Sequence, residues 1–408
     1  MKIFINLYCF FSLFLFSSLT FAFSGGTGTK DDPYLIMDCQ GLQSIHNFPS
    51  EHFQLINDID CSGFDYGDGG GFMPIGSSAY PFIGILDGDG FTISNLYINR
   101  STQNQVGLIG ELDEAALIQN LNVTASYIVG KDNTGGIVGY GIGDDISVYN
   151  VSFEGEVIGN ENVGGLVGTL YSGTVSNSNA TAKVTTASFN AGGLIGNANY
   201  ANIINNYATG EVKSSYSASR AIGGLVGYMY GNNTDVFDKN SSSSIVTGYQ
   251  HIGGLIGYSA LMNIKNSYSD SSVNGTESVG GLIGYIKIGS VTDSYAQGEI
   301  LGDHYIGGLI GYANGSSLIS VTNNYAAALV KAVMYAGGLI GYKTGTVNVV
   351  SSYWDKDVSG QPFSAGGTPK TTAEMYQQAT YVNWNFNTNW QIDENVNYPQ
   401  LRGSLTEE

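Results

Sequence analysis

Residues 278–285 read SVGGLIGY; three of these eight residues are glycine and most of the others are apolar. One such block is typical of a β-bulge or a phosphate-binding turn. Here it occurs nine times, at 106–111, 134–140, 163–169, 191–197, 222–228, 252–258, 279–285, 306–312 and 336–342. The glycine before Leu or Ile recurs every 27 to 31 residues. This period predicts a repeat protein whose length variation lies in loops.

A second block follows the glycine block by about a dozen residues in most repeats. It reads NNYATGEV at 205–212, NSYSDSSV at 266–273 and DSYAQGEI at 293–300. Its alternation and its β-branched and tyrosine content are typical of strands, and no helical periodicity runs through 80–360. We therefore predict an all-β fold, a parallel β-helix or β-solenoid of about nine rungs between N- and C-terminal caps. A β-propeller needs repeats of about 40 residues or more.

Stacked coils would place Leu255, Leu282, Leu309 and Leu339 in one buried column. Each fully buried Leu contributes on the order of 2 kcal/mol. The flanking glycines would then let the wall turn tightly or let the opposite wall approach closely.

The GG(L/I)(V/I)GY block followed by N(S/N)YA resembles the GLUG-motif repeat family of exported, surface-attached bacterial proteins of adhesin type. The stretches that flank the repeats, such as SGGTGTKDDPYLI at 24–36 and SSYWDKDVSG at 351–360, are also similar to those of the family. The resemblance implies a β-solenoid scaffold whose ligand differs between members.

The chain divides into four predicted regions: a signal peptide at 1–22, an N-terminal cap at 23–80, the repeat solenoid at 81–360 and a C-terminal cap at 361–408. Residues 1–22 carry one positive charge and a long apolar run, which is the layout of a secretory signal, with cleavage expected after Ala22. An uncleaved membrane anchor is the alternative. Both place the rest of the chain outside the cytoplasm, secreted or at the cell surface, and we expect no membrane insertion of the mature chain.

Removal of residues 1–22 leaves 14 basic and 34 acidic residues, a formal charge of −20. Such a field disfavours nucleic acid and anionic membranes as partners. Cys39 and Cys61 are then the only cysteines, and an exported chain with two cysteines usually pairs them. Farther along, Thr371 and Glu374 have the spacing of a capping box, which predicts a short helix near 372–380. Trp384, Phe386 and Trp390 would follow it and close over the last rung.

Tyrosines recur at two positions of the repeat. One set follows the glycine block: Tyr228, Tyr258, Tyr285, Tyr312 and Tyr342. The other lies in the second block: Tyr207, Tyr268, Tyr295, Tyr325 and Tyr353. Stacked one coil apart, each set would form an aromatic column. A column that faces water is a platform for sugars or for a protein partner, whereas one that faces inward is packing; we favour packing for the second set.

The residues suggest no cofactor and no catalytic centre. The four histidines form no metal-ligand pattern. Asp65 and Asp68, or Asp87 and Asp89, are possible calcium ligands, but their glycine neighbours are equally typical of tight turns. We therefore predict a non-enzymatic, adhesin-like protein that binds an extracellular glycan or protein through many weak sites. The alternative is a β-helical carbohydrate-active enzyme, a lyase or hydrolase, in which Asp144 and Asp145, or Glu154 and Glu156, would find partner carboxylates for glycoside hydrolysis.

Overall fold

The computed structural model describes residues 23–232 and 234–403. The predicted signal peptide, with its cleavage point at Ala22, lies outside the described residues. The described chain winds into a parallel β-solenoid, and every strand pairing in its main sheet is with the equivalent strand of a neighbouring coil. The predicted fold class is therefore confirmed. Each regular coil contributes to four ladders of strands, which we number from the glycine block onward.

Ladder 1 ends at the first glycine of each pair, and ladder 2 begins just after the pair. Ladder 1 contains Asp132–Gly135, Glu161–Gly164, Ala191–Gly192, Arg220–Gly223, Gln250–Gly253, Glu277–Gly280 and the ends of Tyr295–Gly307 and Tyr325–Gly337. Ladder 2 contains Ile109–Asp113, Val138–Ile142, Val167–Tyr171, Ile195–Asn199, Val226–Tyr230, Ile256–Ala260, Ile283–Ile286 and the starts of Ile310–Thr322 and Ile340–Val350. Ladder 2 thus has one strand for each of the nine glycine blocks.

Ladder 3 follows, and ladder 4 holds the second sequence block. Ladder 3 contains Tyr34–Ile36, His52–Leu55, Ile85–Asp87, the starts of Leu117–Val129 and Ser147–Gly159, Thr174–Ser176, Asn202–Ile204, Val236–Asp238, Met262–Lys265, Gly289–Thr292 and the ends of the last two ladder 2 strands. Ladder 4 contains Ile59–Asp60, Thr92–Ser94, Tyr97–Asn99, the ends of Leu117–Val129 and Ser147–Gly159, Asn179–Thr186, Tyr207–Ser214, Ser241–Thr247, Tyr268–Asp270, Ser272–Asn274, the starts of Tyr295–Gly307 and Tyr325–Gly337, Tyr353–Asp355 and Thr368–Lys370.

The leucine column predicted from the repeat is present. Leu255, Leu282, Leu309 and Leu339 are fully buried. The backbone N–H of each of the first three donates to the carbonyl of the equivalent leucine in the next coil, at 2.9 to 3.0 Å, and that of Leu339 donates to the Ser364 hydroxyl at 3.2 Å. Residues about 29 positions apart therefore lie directly above one another. Apolar side chains of all four ladders fill the interior between them.

Close approach between coils explains the glycine pairs. A Cβ atom on Gly281 would overlap the carbonyl oxygen of Gly308 in the next coil and would also contact Ala296 across the interior. Opposite six of the pairs the ladder 4 residues are correspondingly small: Ala180, Ala208, Ser242, Ser269, Ala296 and Ala326. The first and last pairs instead face Phe153 and Trp354. The glycines therefore make the solenoid thin at this point, because two walls and two successive coils meet there.

The N-terminal segment enters the stack early. Strands Tyr34–Ile36, His52–Leu55 and Ile59–Asp60 already pair in parallel with later strands, so the stacked coils begin inside residues 23–80. An α-helix at Cys39–Ser44 and a 3₁₀-helix at Ile45–Asn47 follow the first strand. A disulfide joins Cys39 to Cys61, both buried, and so ties this helix to the start of ladder 4.

The C-terminal segment contains short α-helices at Lys356–Ser359 and Thr372–Met375, a 3₁₀-helix at Gln378–Thr380 and an antiparallel pair, Trp390–Gln391 with Gln400–Leu401. The capping box is confirmed, since Thr371 and Glu374 exchange both of its hydrogen bonds. The expected position of Trp384 and Trp390 over the last rung is wrong. Both pack instead against the side of ladder 4, where Trp390 donates to Asp293 at 3.1 Å.

The C-terminal segment, which we call the C-terminal cover, buries three tyrosines of the second set. Tyr295, Tyr325 and Tyr353 are at most 7% exposed beneath the tryptophans, and the Tyr325 hydroxyl donates to the Pro399 carbonyl at 2.9 Å. Stacked ring centroids lie 4.8 Å apart for Tyr295 and Tyr325. The packing role favoured for these three tyrosines is thus the one that the structure shows.

Candidate functional site

The first tyrosine set lies on ladder 2, at one position of the repeat. Tyr228, Tyr258, Tyr285, Tyr312 and Tyr342 are strand partners in that order, and all five are half-buried. Next to Tyr285 along its strand, for example, Ile286 points into the core. This alternation gives the tyrosine column its partly exposed position, because successive strand residues face opposite sides of a sheet.

The rings cover one another in the first half of the column. Ring centroids are 4.8 Å apart for Tyr228 and Tyr258 and 5.2 Å for Tyr258 and Tyr285, with interplanar angles of 5° and 8°. Farther on, Tyr285 and Tyr312 meet edge to face at 82°. The stacked rings therefore present edges and hydroxyl groups to solvent rather than open faces.

Two of these hydroxyl groups are held by the neighbouring coil. Asn314 donates to the Tyr285 hydroxyl at 2.7 Å, and the Tyr312 and Thr344 hydroxyls share a hydrogen bond of 3.1 Å. Burial, followed by neighbouring tyrosines, raises the pKa of Tyr258 to about 12. Tyr258 is therefore neutral at physiological pH, and the column carries hydroxyl groups at a spacing of one coil.

A second column runs beside the tyrosine column. It is formed by the residue two positions before the glycines of each block. Every member has a left-handed backbone, with φ between 55° and 59°: Gln105, Asn133, Asn162, Asn190, Ala221, His251, Ser278, Tyr305 and Tyr335. Asparagine tolerates this conformation best after glycine, which suits the earlier coils. There Asn162 donates to Asn133 at 2.9 Å, and Asn190 donates to Asn162 at 2.8 Å.

In the later coils this second column is aromatic. The His251 ring lies 4.6 Å from the ring of Tyr285 and 5.7 Å from that of Tyr258, measured between centroids. The Tyr305 ring lies 4.8 Å from that of Tyr342. The two columns together form one surface, which we call the corner face, with an amide-rich half and an aromatic half.

A pocket of about 470 Å³ lies where the two halves meet. Its lining residues are Glu161, Phe189, Asn190, Asn197, Arg220, Ala221, Tyr228, His251 and Tyr258. Two features create it. Ala221 occupies the position that His251 takes in the next coil, and Asn197 occupies the position that Tyr228 takes in the next coil.

Burial sets the charges of the pocket. It lowers the pKa of His251 to about 4, with a smaller contribution from Arg220, so the imidazole is neutral at pH 7. Burial, and then the nearby Asp132, raise the pKa of Glu161. The pocket therefore combines a neutral imidazole, a partly buried carboxyl group and an exposed guanidinium.

Sequence reasoning singled out Tyr228 and Tyr258 but missed the pocket and the roles of Ala221, His251 and Glu161. A signal was available: aligning the nine repeats shows one alanine among larger residues, next to a coil whose tyrosine is replaced by Asn197. Ring-to-ring contacts across two ladders, in contrast, are visible only in the fold.

The candidate calcium carboxylates have other partners. Arg100 donates to Asp68 at 2.8 Å, Asp65 accepts from the backbone of Gly69 and Gly71, and Gln119 donates to Asp87 at 2.6 Å. Within residues 23–232 and 234–403, no group of three or more Asp, Glu, His or Cys residues is arranged to hold a metal ion.

The carboxylates considered for catalysis lie among surface contacts. Lys183 pairs with Glu156 at 2.6 Å, and Ser172 donates to Asp144 at 2.7 Å. None of the four carboxylates considered, Asp144, Asp145, Glu154 and Glu156, lines the pocket at Ala221.

Residues 159–185 match the model of the GLUG motif family. The matched segment begins at the end of the strand Ser147–Gly159, continues through the glycine pair and ends within Asn179–Thr186. It is thus one coil of the solenoid.

Two relatives are similar to part of the chain. A protein of Evansella cellulosilytica whose name describes it as a Gly-rich membrane protein is 39% identical over 133 residues, which is 31% of this chain and 15% of that protein. Halomucin of Haloquadratum walsbyi is 42% identical over 127 residues, 30% of this chain and 1% of halomucin. The chain therefore matches only a small part of each relative's length.

Two solved structures resemble the chain at low sequence identity. One, from Bacteroides ovatus, is described as an immunoglobulin A1 protease. It is 18% identical, and the match covers 93% of this chain and 95% of the B. ovatus chain. The other, named IgA1 Protease, is 12% identical, and the match covers 86% of this chain and 24% of the protease chain. Both have a TM-score of 0.39, and at this degree of similarity neither informs the function.

Across the described ranges, 23–232 and 234–403, the structure contains no helix with the length and apolar character needed to cross a membrane. The repeated glycine block, the stacked coils that it builds and the family match at 159–185 agree with one another. Residues 159–185 therefore carry a GLUG motif, and the same glycine block recurs eight more times along the chain.

Proposed function

We propose that this chain is an exported surface protein that binds an extended neutral glycan along the corner face, without catalysing a reaction on it. The observation that carries the proposal is the tyrosine column: five half-buried tyrosines, one per coil, with ring centroids 4.8 to 5.3 Å apart. Consecutive sugars of an extended glycan rise by a distance close to the strand spacing of about 4.8 Å. Each coil then offers equivalent contacts to successive sugars.

Charge supports a neutral ligand. The chain carries a formal net charge of −19, and a polyanionic glycan would be repelled along the whole length of the solenoid. Individual contacts to ring edges and hydroxyl groups are weak, but several on one rigid surface act together and raise the overall affinity. The names of the two relatives, a membrane protein and a halomucin, are consistent with a role at the cell surface.

The test is retention of the purified full chain on immobilised neutral polysaccharides. The double variant Tyr285→Ala with Tyr312→Ala removes the centre of the column, and we expect its retention to fall at least tenfold. The matched control is Tyr97→Ala with Tyr127→Ala, a stacked and exposed pair on ladder 4 with centroids 5.9 Å apart. The control removes a similar aromatic area from another face and should retain wild-type binding.

The same incubation tests the alternative that the chain is an enzyme. Glu161 supports this alternative, because a raised pKa and a pocket location are features of catalytic carboxyl groups. Release of new reducing ends or of unsaturated products by the wild-type chain would overturn the non-enzymatic proposal. Equal loss of retention in both double variants would remove the corner face as the binding surface.

A further inference from the structure

The stack of tyrosine rings ends at Tyr228, and this end is open. One face of Tyr228 is covered by Tyr258 at 4.8 Å. On the other side the preceding coil carries Asn197 at the equivalent position, and among the described residues no other aromatic ring packs on Tyr228. Among the parallel-stacked rings of the column, Tyr228 is therefore the one whose second face borders the pocket.

The space beside this face has the size of a small-molecule site. Its volume of about 470 Å³ falls within the range of ordinary ligand pockets, about 300 to 1,000 Å³. It exists because Ala221 has no side chain beyond Cβ at the position where His251 fills the next coil. A ligand ring in this space would continue the stack by one further coil.

The polar groups around the space have unused hydrogen-bonding capacity. Asn197 accepts from Asn199 through its carbonyl oxygen at 2.9 Å, so its amide N–H groups remain for a ligand. Asn190 donates to Asn162, so its carbonyl oxygen remains. In the part of the chain that the structure describes, neither Glu161 nor Arg220 takes part in an ion pair.

This combination identifies the chemical class of the ligand. A purely apolar ring would leave the two amides and the carboxyl group without the hydrogen bonds that they make to water, which is unfavourable. A sugar ring offers an apolar face to an aromatic ring and hydroxyl groups, both donors and acceptors, around its edge. An acidic sugar would meet Glu161 and, beyond it, Asp132.

We infer that the pocket at Ala221 is a subsite for one neutral pyranose ring, stacked on the open face of Tyr228 and held at its edge by Asn190, Asn197, Glu161 and Arg220. The inference rests on the proposed function, because this ring would be one residue of the glycan that the corner face binds. It adds a single deep site to a surface whose other contacts are shallow, and it fixes the register of the glycan on the solenoid.

The experiment measures the binding of free hexopyranoses to the full chain by ligand-observed NMR, with methyl glycosides of glucose, galactose, mannose and N-acetylglucosamine as probes. Ala221→His installs the side chain found in the next coil and fills the pocket. We expect the wild type to bind at least one of the probes with millimolar affinity and Ala221→His to bind it at least tenfold more weakly. Glu161→Gln changes only a partly exposed edge group and should weaken binding about fivefold or more.

A second column variant, Tyr312→Ala with Tyr342→Ala, whose rings contact none of the aromatic residues that line the pocket, separates this inference from the proposed function. It lies outside the pocket and should bind the free monosaccharide normally while it loses retention on the polysaccharide. Two outcomes would overturn the subsite. In the first, the wild type binds none of the probes; in the second, Ala221→His and Glu161→Gln both bind the probes as tightly as the wild type does. Failure of the wild type on polysaccharides, with monosaccharide binding intact, would overturn only the proposed function.

Discussion

At the scale of single residues, the glycines act by making room. Gly281 faces the Gly308 carbonyl of the next coil, and Gly284 lies against the backbone of Ile252 in the previous coil, so neither has space for a side chain. The relevant property is the missing Cβ rather than backbone flexibility, since neither glycine has a positive φ. Backbone atoms cannot move aside as the tip of a flexible side chain can.

We expect Gly281→Ala to lower the free energy of unfolding by about 3 kcal/mol or more, because the new methyl group overlaps a carbonyl oxygen. The matched control is Gly141→Ala, whose methyl group would crowd the Leu170 side chain at 2.9 Å and would otherwise make ordinary contacts with Ile146 at 3.6 Å and the Thr169 carbonyl at 4.0 Å. Urea denaturation followed by circular dichroism measures both variants. Similar losses in the two would show that the crowding at Gly281 is not the reason for the glycine.

His251 makes stability depend on pH. Its pKa is about 4 in the folded chain and 6.5 in the unfolded chain, so the unfolded state binds the proton first as pH falls. The contribution of the neutral imidazole is complete above pH 6.5 and is lost progressively towards pH 4. The groups around it are Arg220, Tyr258, Tyr285 and, across the pocket, Glu161.

We therefore expect the unfolding free energy of the wild type to fall, relative to that of His251→Gln, by roughly 2 to 3 kcal/mol between pH 6.5 and pH 4. Denaturant titrations of both proteins across this pH range give the difference in unfolding free energy. Carboxylates titrate in both proteins, so their contribution cancels in this difference. Parallel curves for the two proteins would contradict the buried neutral state of His251.

At the scale of the element, a buried polar column precedes the ladder 4 strands from Asn179–Thr186 to Tyr353–Asp355 and explains the recurring NS, NN and DS pairs. The first residue of each pair is left-handed, as in Asn205, Asn266 and Asp293. The second is buried and bonds to its equivalent in the next coil, as when the Ser267 backbone donates to the Ser294 hydroxyl at 3.2 Å. This column fixes the corner at which the chain enters ladder 4.

Asn240 tests this column. It is fully buried, its amide donates to the Ile203 carbonyl at 2.7 Å, and its carbonyl accepts from the Asn206 backbone at 3.0 Å. Asn240→Ala leaves these partners unsatisfied, and we expect a loss of about 3 kcal/mol in unfolding free energy. Asn179→Ala, which alters an exposed asparagine at the start of a ladder 4 strand, should change it by less than about 0.5 kcal/mol. Equal effects would mean that the buried column contributes nothing specific.

At the scale of the whole molecule, coils contact only their neighbours, whereas the C-terminal segment crosses several of them. Trp390 is fully buried, its ring centroid is 6.1 Å from those of Tyr295 and Tyr325, and it bonds to Asp293, which lies 97 residues earlier. The segment thus joins coils that are otherwise linked only in sequence order, and it covers three tyrosines that would otherwise face water.

We expect Trp390→Ala to destabilise this cover by about 3 to 5 kcal/mol and to free residues 372–403 from ladder 4 while the coils stay folded. Hydrogen exchange should rise in that segment and at Tyr295 and Tyr325, and glycan binding by the corner face should be unchanged. Phe363→Ala, at a side chain that is 79% exposed, is the control and should leave exchange as in the wild type. Uniform acceleration over all coils would show that the cover is part of a single cooperative unit.

The repeat period and the glycine pairs were sufficient to predict the solenoid, because in a stacked coil the neighbours in space are the residues one period away. The same logic placed Tyr258 beside Tyr285 and Leu255 beside Leu282, and the helix cap at Thr371 followed from local spacing alone. All of these depend on contacts within one coil or between adjacent coils.

The pocket at Ala221 and the path of the C-terminal segment were decided only by the tertiary structure. The pocket needs ladders 1 and 2 to meet at a corner, so that a small residue in one column and Asn197 in the other leave a single shared space. The C-terminal cover depends on Trp384 and Trp390 packing on tyrosines that lie 31 to 95 residues earlier, and the segment that carries these tryptophans has no repeat. Sequence periodicity specifies which residues stack, whereas side-chain size at corners and the docking of non-repeating segments depend on where the folded walls leave room.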